Sequence, residues 1–424
     1  MREMQDSRIE WIGEIPKSWT ITILSALFSE CKCKNSGLTE NNLLSLSYGN
    51  IVRKNIESNE GLLPASFETY NIIEPGNIVF RLTDLQNDKR SLRTGLCKER
   101  GIITSAYVTL QIRSDDSPRY MHYLFHTYDL CKVFYGMGDG VRQGMNYEDL
   151  KRLRILRPDQ ETQRRIADYL DRKCSQIDAI IARQQEVIEK LKAYKLSVIT
   201  EAVTKGLNPD VPMKDSGVEW IGEIPEHWDF RRIKNCCLIV DCKNRTPDPD
   251  PDGEYIVVRT TCIRDGSFSY EGSYHTNAEN FKEWTAKGQP QHGDIFFTRE
   301  APMGEACLVP DDDNLCMGQR VMFFRPLDGS DPRYILYSIY GPLAREYIDS
   351  KNKGSTVGHL KLGQVASLPL FYCPPKEQNE IADYLDKRCG AIDKVVEKKT
   401  EIISKLTDYK KSLIYEVVTG KKEV

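Results

Sequence analysis

The side chains best suited to chemistry in this sequence are donors, not nucleophiles. Arg81, Lys89, Arg90 and Arg93 flank an expected loop, and Arg142, Gln143 and Asn146 lie among Gly140, Gly144 and Met145. Further on, Lys243, Asn244 and Arg245 stand beside Thr246-Pro247. Arg259, Arg264, Arg299, Gln319, Arg320 and His359 fall at expected strand ends or loops. Arg, Asn and Gln can pair bidentately with guanine or adenine edges, and Lys and Arg neutralise phosphates. Any one of these residues is more simply read as a solvated surface group. Their clustering in loops lifts the set to a candidate nucleic-acid surface. Residues 70–157 carry 14 Lys/Arg against 10 Asp/Glu, although the chain as a whole has 59 against 62 and a net charge of −3. A lone nucleic-acid binder is usually basic overall, so either nucleic acid is not the partner or other subunits add to the grip.

Other chemistries lack their residues. There is no GxxxxGK[ST] loop, since residues 354–358 read GSTVG and are followed by His359. No GxGxxG opens a helix, no GxSxG elbow occurs, and no Asn-Pro-Pro-aromatic tetrad is present. His122 and His126 are four apart without HExxH, and no CxxC pair exists among the 13 cysteines. No metal site is therefore expected. Asp248, Asp250, Asp252 and Asp311 to Asp313 do not fit an EF-hand and read as solvated turns. The expectation is a chain without catalytic residues that binds no cofactor. No window approaches the ~20 apolar residues of a membrane span, and residues 1–16 lack the apolar core of a secretory signal. A cytoplasmic protein with free thiols and no membrane partner is expected.

The elements that must position these side chains come in two copies. Residues 10–19 read EWIGEIPKSW and residues 219–228 read EWIGEIPEHW, identical at eight of ten positions. Residues 166–171 and 381–386 both read IADYLD, and 166–206 aligned on 381–421 keeps 20 identities in 41 positions. Pro118-Arg119-Tyr120 is echoed by Pro332-Arg333-Tyr334, and Gly76-Asn77-Ile78 by Gly293-Asp294-Ile295. The stretches between these marks barely match. Similar frames around different inserts point to two modules doing one job on different targets. Twelve residues separate Thr204 from Ser216. Twelve also separate Thr419 from Ser7 if the ends of the chain are joined, so neighbouring termini would close it into a ring of two equivalent units.

Residues 160–204 contain no Gly or Pro, and their apolar positions step by three and four, a helical period. With Leu170, Ile177, Leu191 and Val198 at heptad position a, position d takes Ile180, Val187 and Tyr194, and position e takes Cys174, Ile181 and Ile188. The second copy places Leu385, Ile392, Leu406 and Leu413 at a, and Val395, Ile402 and Tyr409 at d. Heptads sustained this long argue for a coiled coil, here a rod of roughly 65 Å. Gln184 and Lys399 occupy the central a positions, where a polar residue can fix register or else lie on a solvated part of the stripe. Between the frames, residues 77–82, 102–112, 255–258, 294–298, 320–324 and 367–372 read as strands. Residues 118–134 and 332–349 read as helices opened by proline. The WIGEIP segments are expected to bury their tryptophans as clips rather than to form a groove. The fold class is α+β.

Taken together, the two WIGEIP segments, the QRRIADYLD and QNEIADYLD helices at 163–171 and 378–386, the GNI/GDI strands and the PRY helices resemble one family over essentially the whole chain: the specificity (S) subunits of type I restriction-modification systems. The resemblance implies a target recognition domain at 1–157, a central conserved helix at 158–206, a second target recognition domain at 207–372 and a C-terminal conserved helix at 373–424. It further implies that the two helices form an antiparallel coiled coil in a pseudo-twofold, cyclic arrangement that sets the spacing of two half-sites on double-stranded DNA. Two modification subunits holding S-adenosylmethionine would methylate adenine, and restriction subunits would use ATP with Mg2+. Differing middles imply an asymmetric target. The rival readings are a DNA-binding scaffold of another defence system, a purely structural coiled-coil protein, and a nuclease with an unrecognised site.

Overall fold

The computed structural model describes residues 2–55, 66–83, 85, 92–137, 144–352 and 358–424. They form two compact units: Met1–Gln184 with Thr400–Val424, and Gln185–Lys399. Lys89, Arg90, Arg142 and Gln143 lie outside the described residues.

The first unit is built on a four-stranded antiparallel sheet in the order Phe28–Glu30, Val108–Ile112, Ile78–Phe80, Thr94–Leu96. Ile78, Val79 and Phe80 are all buried, as a short apolar run covered on both faces should be. The helix Pro118–Leu130 lies in the same core. Its N-cap Ser117 accepts from Tyr120 N, and proline sits in its first turn, where the missing N–H leaves no orphan. Phe125 of this helix meets Phe28 and Phe80 at ring distances of 5.5 and 5.1 Å. Truncating a ring packed this way costs about 3–5 kcal/mol. A second strand pair, Thr20–Ile23 with Arg154–Arg157, leads into the long helix Gln160–Lys205.

The second unit repeats this frame. Its sheet runs Cys237–Val240, Val321–Pro326, Ile295–Thr298, Ala306–Leu308, and Asp229–Arg232 pairs with Pro369–Tyr372 ahead of the long helix Pro375–Val418. Its second sheet is three-stranded, Tyr255–Val258 pairing antiparallel with Tyr274–Thr276 and parallel with Leu315–Met317; in the first unit Gly101–Ile103 pairs antiparallel with Asn71–Ile73 and bridges in parallel to Leu43.

The WIGEIP segments are clips. Each forms a hairpin, Met4–Asp6 with Glu14–Pro16 and Met213–Asp215 with Glu223–Pro225, that buries its second tryptophan, Trp19 or Trp228; the expected burial fails for the first, Trp11 being half-buried and Trp220 exposed. Trp19 packs in one core with Leu413, Ile414, Val417 and Val418 from the end of the second long helix. Trp228 packs with Val198, Ile199, Ala202 and Val203 from the end of the first. Gly206 and Gly420, both at φ 72°, end the two helices in the left-handed conformation that glycine adopts without a Cβ clash.

Three local expectations change. Residues 102–112 form two strands, Gly101–Ile103 and Val108–Ile112, because Thr104 turns the chain: its Oγ1 accepts from Ala106 N and its carbonyl from Tyr107 N. Residues 332–349 form two helices, Pro332–Tyr340 and Pro342–Asn352. The break falls at Gly341, where a Cβ would sit 2.8 Å from Val203 Cγ2 and where the following proline has no N–H to continue the ladder. Finally, the apolar stripe the long helices bury joins heptad positions a and e, not a and d. Leu170, Cys174 and Ile177 are buried on one helix and Leu385, Cys389 and Ile392 on the other. Ile180, Tyr194, Val395, Ile402 and Tyr409 are exposed at d. The a–e spacing alternates four and three just as a–d alternates three and four, so both are helical stripes. Gln184 and Lys399 are half-buried on this seam.

Candidate nucleic-acid interface

Each module is tied to its long helix by the same set of side-chain bonds, made by an arginine, a tyrosine and a glutamine. Arg119 reaches Asp168 and Asp171 at 2.7 and 2.6 Å, and Arg333 reaches Asp383 and Asp386 at 2.7 and 2.9 Å. Tyr123 Oη donates to Asp171, and Tyr337 Oη to Asp386, both at 2.8 Å. Buried Gln163 accepts from Ser117 N at 2.8 Å and donates to the Pro158 carbonyl at 2.9 Å. Buried Gln378 accepts from Asp331 N at 2.9 Å and donates to the Cys373 carbonyl at 2.7 Å. Asp116 joins the first joint. Burial pushes its carboxyl up, but hydrogen bonds from Arg157, Ser114 and Gln163 outweigh that and hold it below the usual carboxylate range.

Most of the second-half donors form one surface of the second unit. Segments carrying residues 241–245, 299–300, 319–320 and 359 are stitched together. Gln319 Nε2 donates to the Asn244 carbonyl at 2.9 Å, Arg299 N to the Arg320 carbonyl at 2.9 Å, and Leu360 N to the Arg299 carbonyl at 3.1 Å. The donors themselves are partnered within the chain. Lys243 and Arg245 share Glu283 Oε1 at 2.6 and 2.5 Å and lie over the Trp284 ring, each 4.8 Å from its centroid. The Lys243 ammonium and the Arg245 guanidinium hold the Glu283 carboxyl below its usual range. Arg320 Nε binds Glu300 at 2.8 Å, and His359 Nδ1 binds the other oxygen of Glu300. Arg299 bonds Asp241 at 2.8 Å and the Leu360 carbonyl at 3.1 Å. Arg320 and Ala301 hold φ angles of 77° and 43°, a strained region for residues other than glycine and one that clusters at functional sites. Arg259 and Arg264 are exposed on neighbouring segments, Arg259 reaching the Gly272 carbonyl at 3.4 Å and Arg264 closing the hairpin Ile263–Arg264 with Ser267–Phe268.

In the first unit the equivalent backbone bridge runs from Met145 N to the Leu82 carbonyl at 2.9 Å. Two of the expected donors have roles inside the fold. Arg93 is fully buried, and its guanidinium donates to the Thr83 carbonyl at 2.7 Å, so its donors serve the backbone of the fold rather than the surface. Asn146 caps the helix Tyr147–Leu150, accepting from Glu148 N at 2.7 Å, which commits its carbonyl oxygen. Arg81 is half-buried and its backbone N–H donates to the Arg93 carbonyl. The acidic partners Glu283 and Glu300 escape sequence reasoning: Glu283 lies 38 residues from Arg245 in the chain, and nothing in its local pattern marks it.

The first unit also holds a cavity of about 1180 Å³. The hairpin tip at Tyr48 and Gly49, His122 and His126 of the helix Pro118–Leu130, and Lys410 and Tyr415 line it. Burial pushes His122 down to about 4. Burial, with help from His122 and Lys410, pushes His126 down to about 3. The matching positions of the second unit hold Leu336 and Tyr340, and there the hairpin tip is docked, Gly266 N donating to Tyr340 Oη at 2.8 Å. Among the described residues no group of three His, Cys, Asp or Glu side chains could hold a metal ion, and no helix is long and apolar enough to cross a membrane. All 13 cysteines are free.

The comparisons with known proteins agree on one family. Residues 225–406 match the family model of the type I restriction modification DNA specificity domain. The chain is 25% identical over 310 residues to the putative type I restriction enzyme MjaX specificity subunit of Methanocaldococcus jannaschii, covering 72% of this chain and 68% of that protein. It is 25% identical over 195 residues to the type I restriction enzyme MjaIX specificity subunit of the same organism, covering 44% and 43%. A chain from a solved structure on complex assembly and conformational transition of the type I R-M system superposes with a TM-score of 0.67 at 14% identity, covering 96% of this chain and 99% of that one, which shows the fold. The chain is thus similar to type I restriction-modification specificity subunits along most of its length, and residues 225–406 match the DNA specificity domain of that family.

Proposed function

We propose that this chain is the DNA-reading, non-catalytic subunit of a type I complex, with each module recognising one half of an asymmetric bipartite target. Modules at 1–157 and 207–372 read the half-sites. The conserved helices at 158–206 and 373–424 pair as an antiparallel coiled coil in a pseudo-twofold frame that sets the half-site spacing, with Gln184 and Lys399 fixing register. The frame recruits two modification subunits, which hold S-adenosylmethionine and methylate adenine, and restriction subunits, which use ATP with Mg2+.

One observation carries the reading. The two units repeat the same sheet order and the same joint to the long helix, yet differ in the residues they place at the matching edge, buried Leu82 in one and the largely buried Arg299, paired with Asp241, in the other. Arg299 follows the strand of the second unit where Leu82 stands in the first, as the two matching backbone bridges show. A shared frame with different donors is what two half-sites of different sequence require. Phosphate grip supplied partly by other subunits accounts for the near-neutral charge.

Methylome sequencing of host DNA with and without this chain, in the presence of its modification partner, tests the reading. The expected result is a bipartite, asymmetric adenine-methylated motif that disappears with the chain. Methylation that persists unchanged in its absence overturns it.

A further inference from the structure

The surface assigned to DNA in the second unit is already occupied by the protein's own carboxylates. Glu283 Oε1 receives Lys243 Nζ at 2.6 Å and Arg245 Nη2 at 2.5 Å. Glu300 receives Arg320 Nε on one oxygen and His359 Nδ1 on the other. Two donors converging on one small anion is the arrangement that a phosphate oxygen or the acceptor pair of a guanine edge would meet. Glu283 is not buried scaffold: its side chain is 42% exposed and Arg245 is 67% exposed. Trp284, itself buried, stiffens the set by placing its ring against both cations. Arg320 is presented from a backbone conformation that a side chain rarely adopts, which aims it at Glu300.

Without these carboxylates, Lys243, Arg245 and Arg320 would present unpaired charge on flexible stems to any phosphate, and phosphate contacts are blind to sequence. With them, a cation must leave an intramolecular partner before it can hold DNA. Exchange is close to neutral only where DNA offers an acceptor in the same place, and unfavourable elsewhere. We propose that Glu283 and Glu300 are internal stand-ins for DNA acceptors and set specificity by suppressing binding to unrelated sequence. This rests on the reading of the second module as a DNA-binding domain.

The test uses the full chain, wild type and with Glu283→Gln or Glu300→Gln, after thermal melts confirm folding. Binding is measured across a salt series to a duplex carrying the methylated motif and to an unrelated duplex. Both variants are expected to bind the unrelated duplex on the order of tenfold tighter, with a salt dependence steeper by up to about two ions. Binding to the motif should change less, so the specificity ratio falls. Unchanged or weaker binding to the unrelated duplex overturns the proposal. Loss confined to the motif duplex overturns it too, since it would make the carboxylate a direct acceptor from a base. Arg245→Ala and Arg320→Ala separate the two levels of the argument. If both leave binding to either duplex unchanged, this surface does not meet DNA, and the reading beneath the proposal fails with it.

Discussion

Lys410 Nζ lies 2.7 Å from both carboxylate oxygens of Asp178, and the same pair recurs with the helices exchanged, Lys195 Nζ lying 2.8 and 2.7 Å from the oxygens of Asp393. Each lysine is 215 residues from its counterpart, as is each aspartate. Both lysines stand at heptad position e of the buried seam, with their stems covered and their ammonium groups reaching the surface. A double-mutant cycle on Lys410→Ala and Asp178→Ala should show a coupling of about 0.5–1 kcal/mol in chemical denaturation. It should shrink in 0.5 M salt, since the aspartate is largely exposed. A coupling that salt leaves intact would mean the pair is shielded from solvent.

Gln163 is a stronger fixed point. Its amide is buried, and replacing it with leucine leaves the Ser117 N–H and the Pro158 carbonyl without their partner. Gln163→Leu should destabilise by about 2–4 kcal/mol and lower the thermal midpoint by several degrees. Gln378→Leu should do the same through Asp331 N and the Cys373 carbonyl. Calorimetry of both variants checks this.

Acid should weaken the first unit. His122 and His126 titrate at about 4 and 3 in the folded chain, both below the ordinary histidine value near 6.5. Between that value and the depressed ones the unfolded chain binds more protons, so stability falls as pH drops from 7 towards 4. The loss by pH 5 is about 2 kcal/mol for each histidine. Lys98, Lys132, Lys410, Asp171 and Asp178 face the same cavity. His122→Leu with His126→Tyr installs the residues of the second unit at these positions and should flatten the pH profile. An unchanged slope would place the acid sensitivity elsewhere.

The two helix-ending glycines should tolerate alanine unequally. A Cβ at Gly420 would sit 2.5 Å from Pro16 Cδ, whereas one at Gly206 meets Glu377 and Trp228 no closer than 3.2 Å. Both pay for the left-handed backbone, about 1 kcal/mol or more. Gly420→Ala adds the clash and should melt lower than Gly206→Ala. Equal melting temperatures would show that the clip yields freely.

Much of the frame is legible in the sequence because it is written twice. The WIGEIP clips, the PRY helices and the IADYLD segments all take equivalent places in the two units. Their purpose is not legible, because the bond from Arg119 to Asp168 spans 49 residues and no local pattern links them. The burial stripe is ambiguous for a different reason. Ile180 and Ile181 are equally apolar, and only the partner helix decides which turns inward. The donor surface is half visible. Basic residues in loops draw the eye, but burial claims Arg93, and acids distant in sequence claim Lys243, Arg245 and Arg320.

The repeated joint between module and helix behaves as a standard plug. A capping Ser or Asp, the Pro-Arg-Tyr triplet and a tyrosine one turn later form the pins, and the glutamine and two aspartates of the long helix form the socket. Compatibility of a grafted module can therefore be judged before any cloning. A donor sequence that keeps the five pins at this spacing should seat on either socket of this chain, and one that lacks the arginine or the second tyrosine should dock loosely, whatever sequence its loops read.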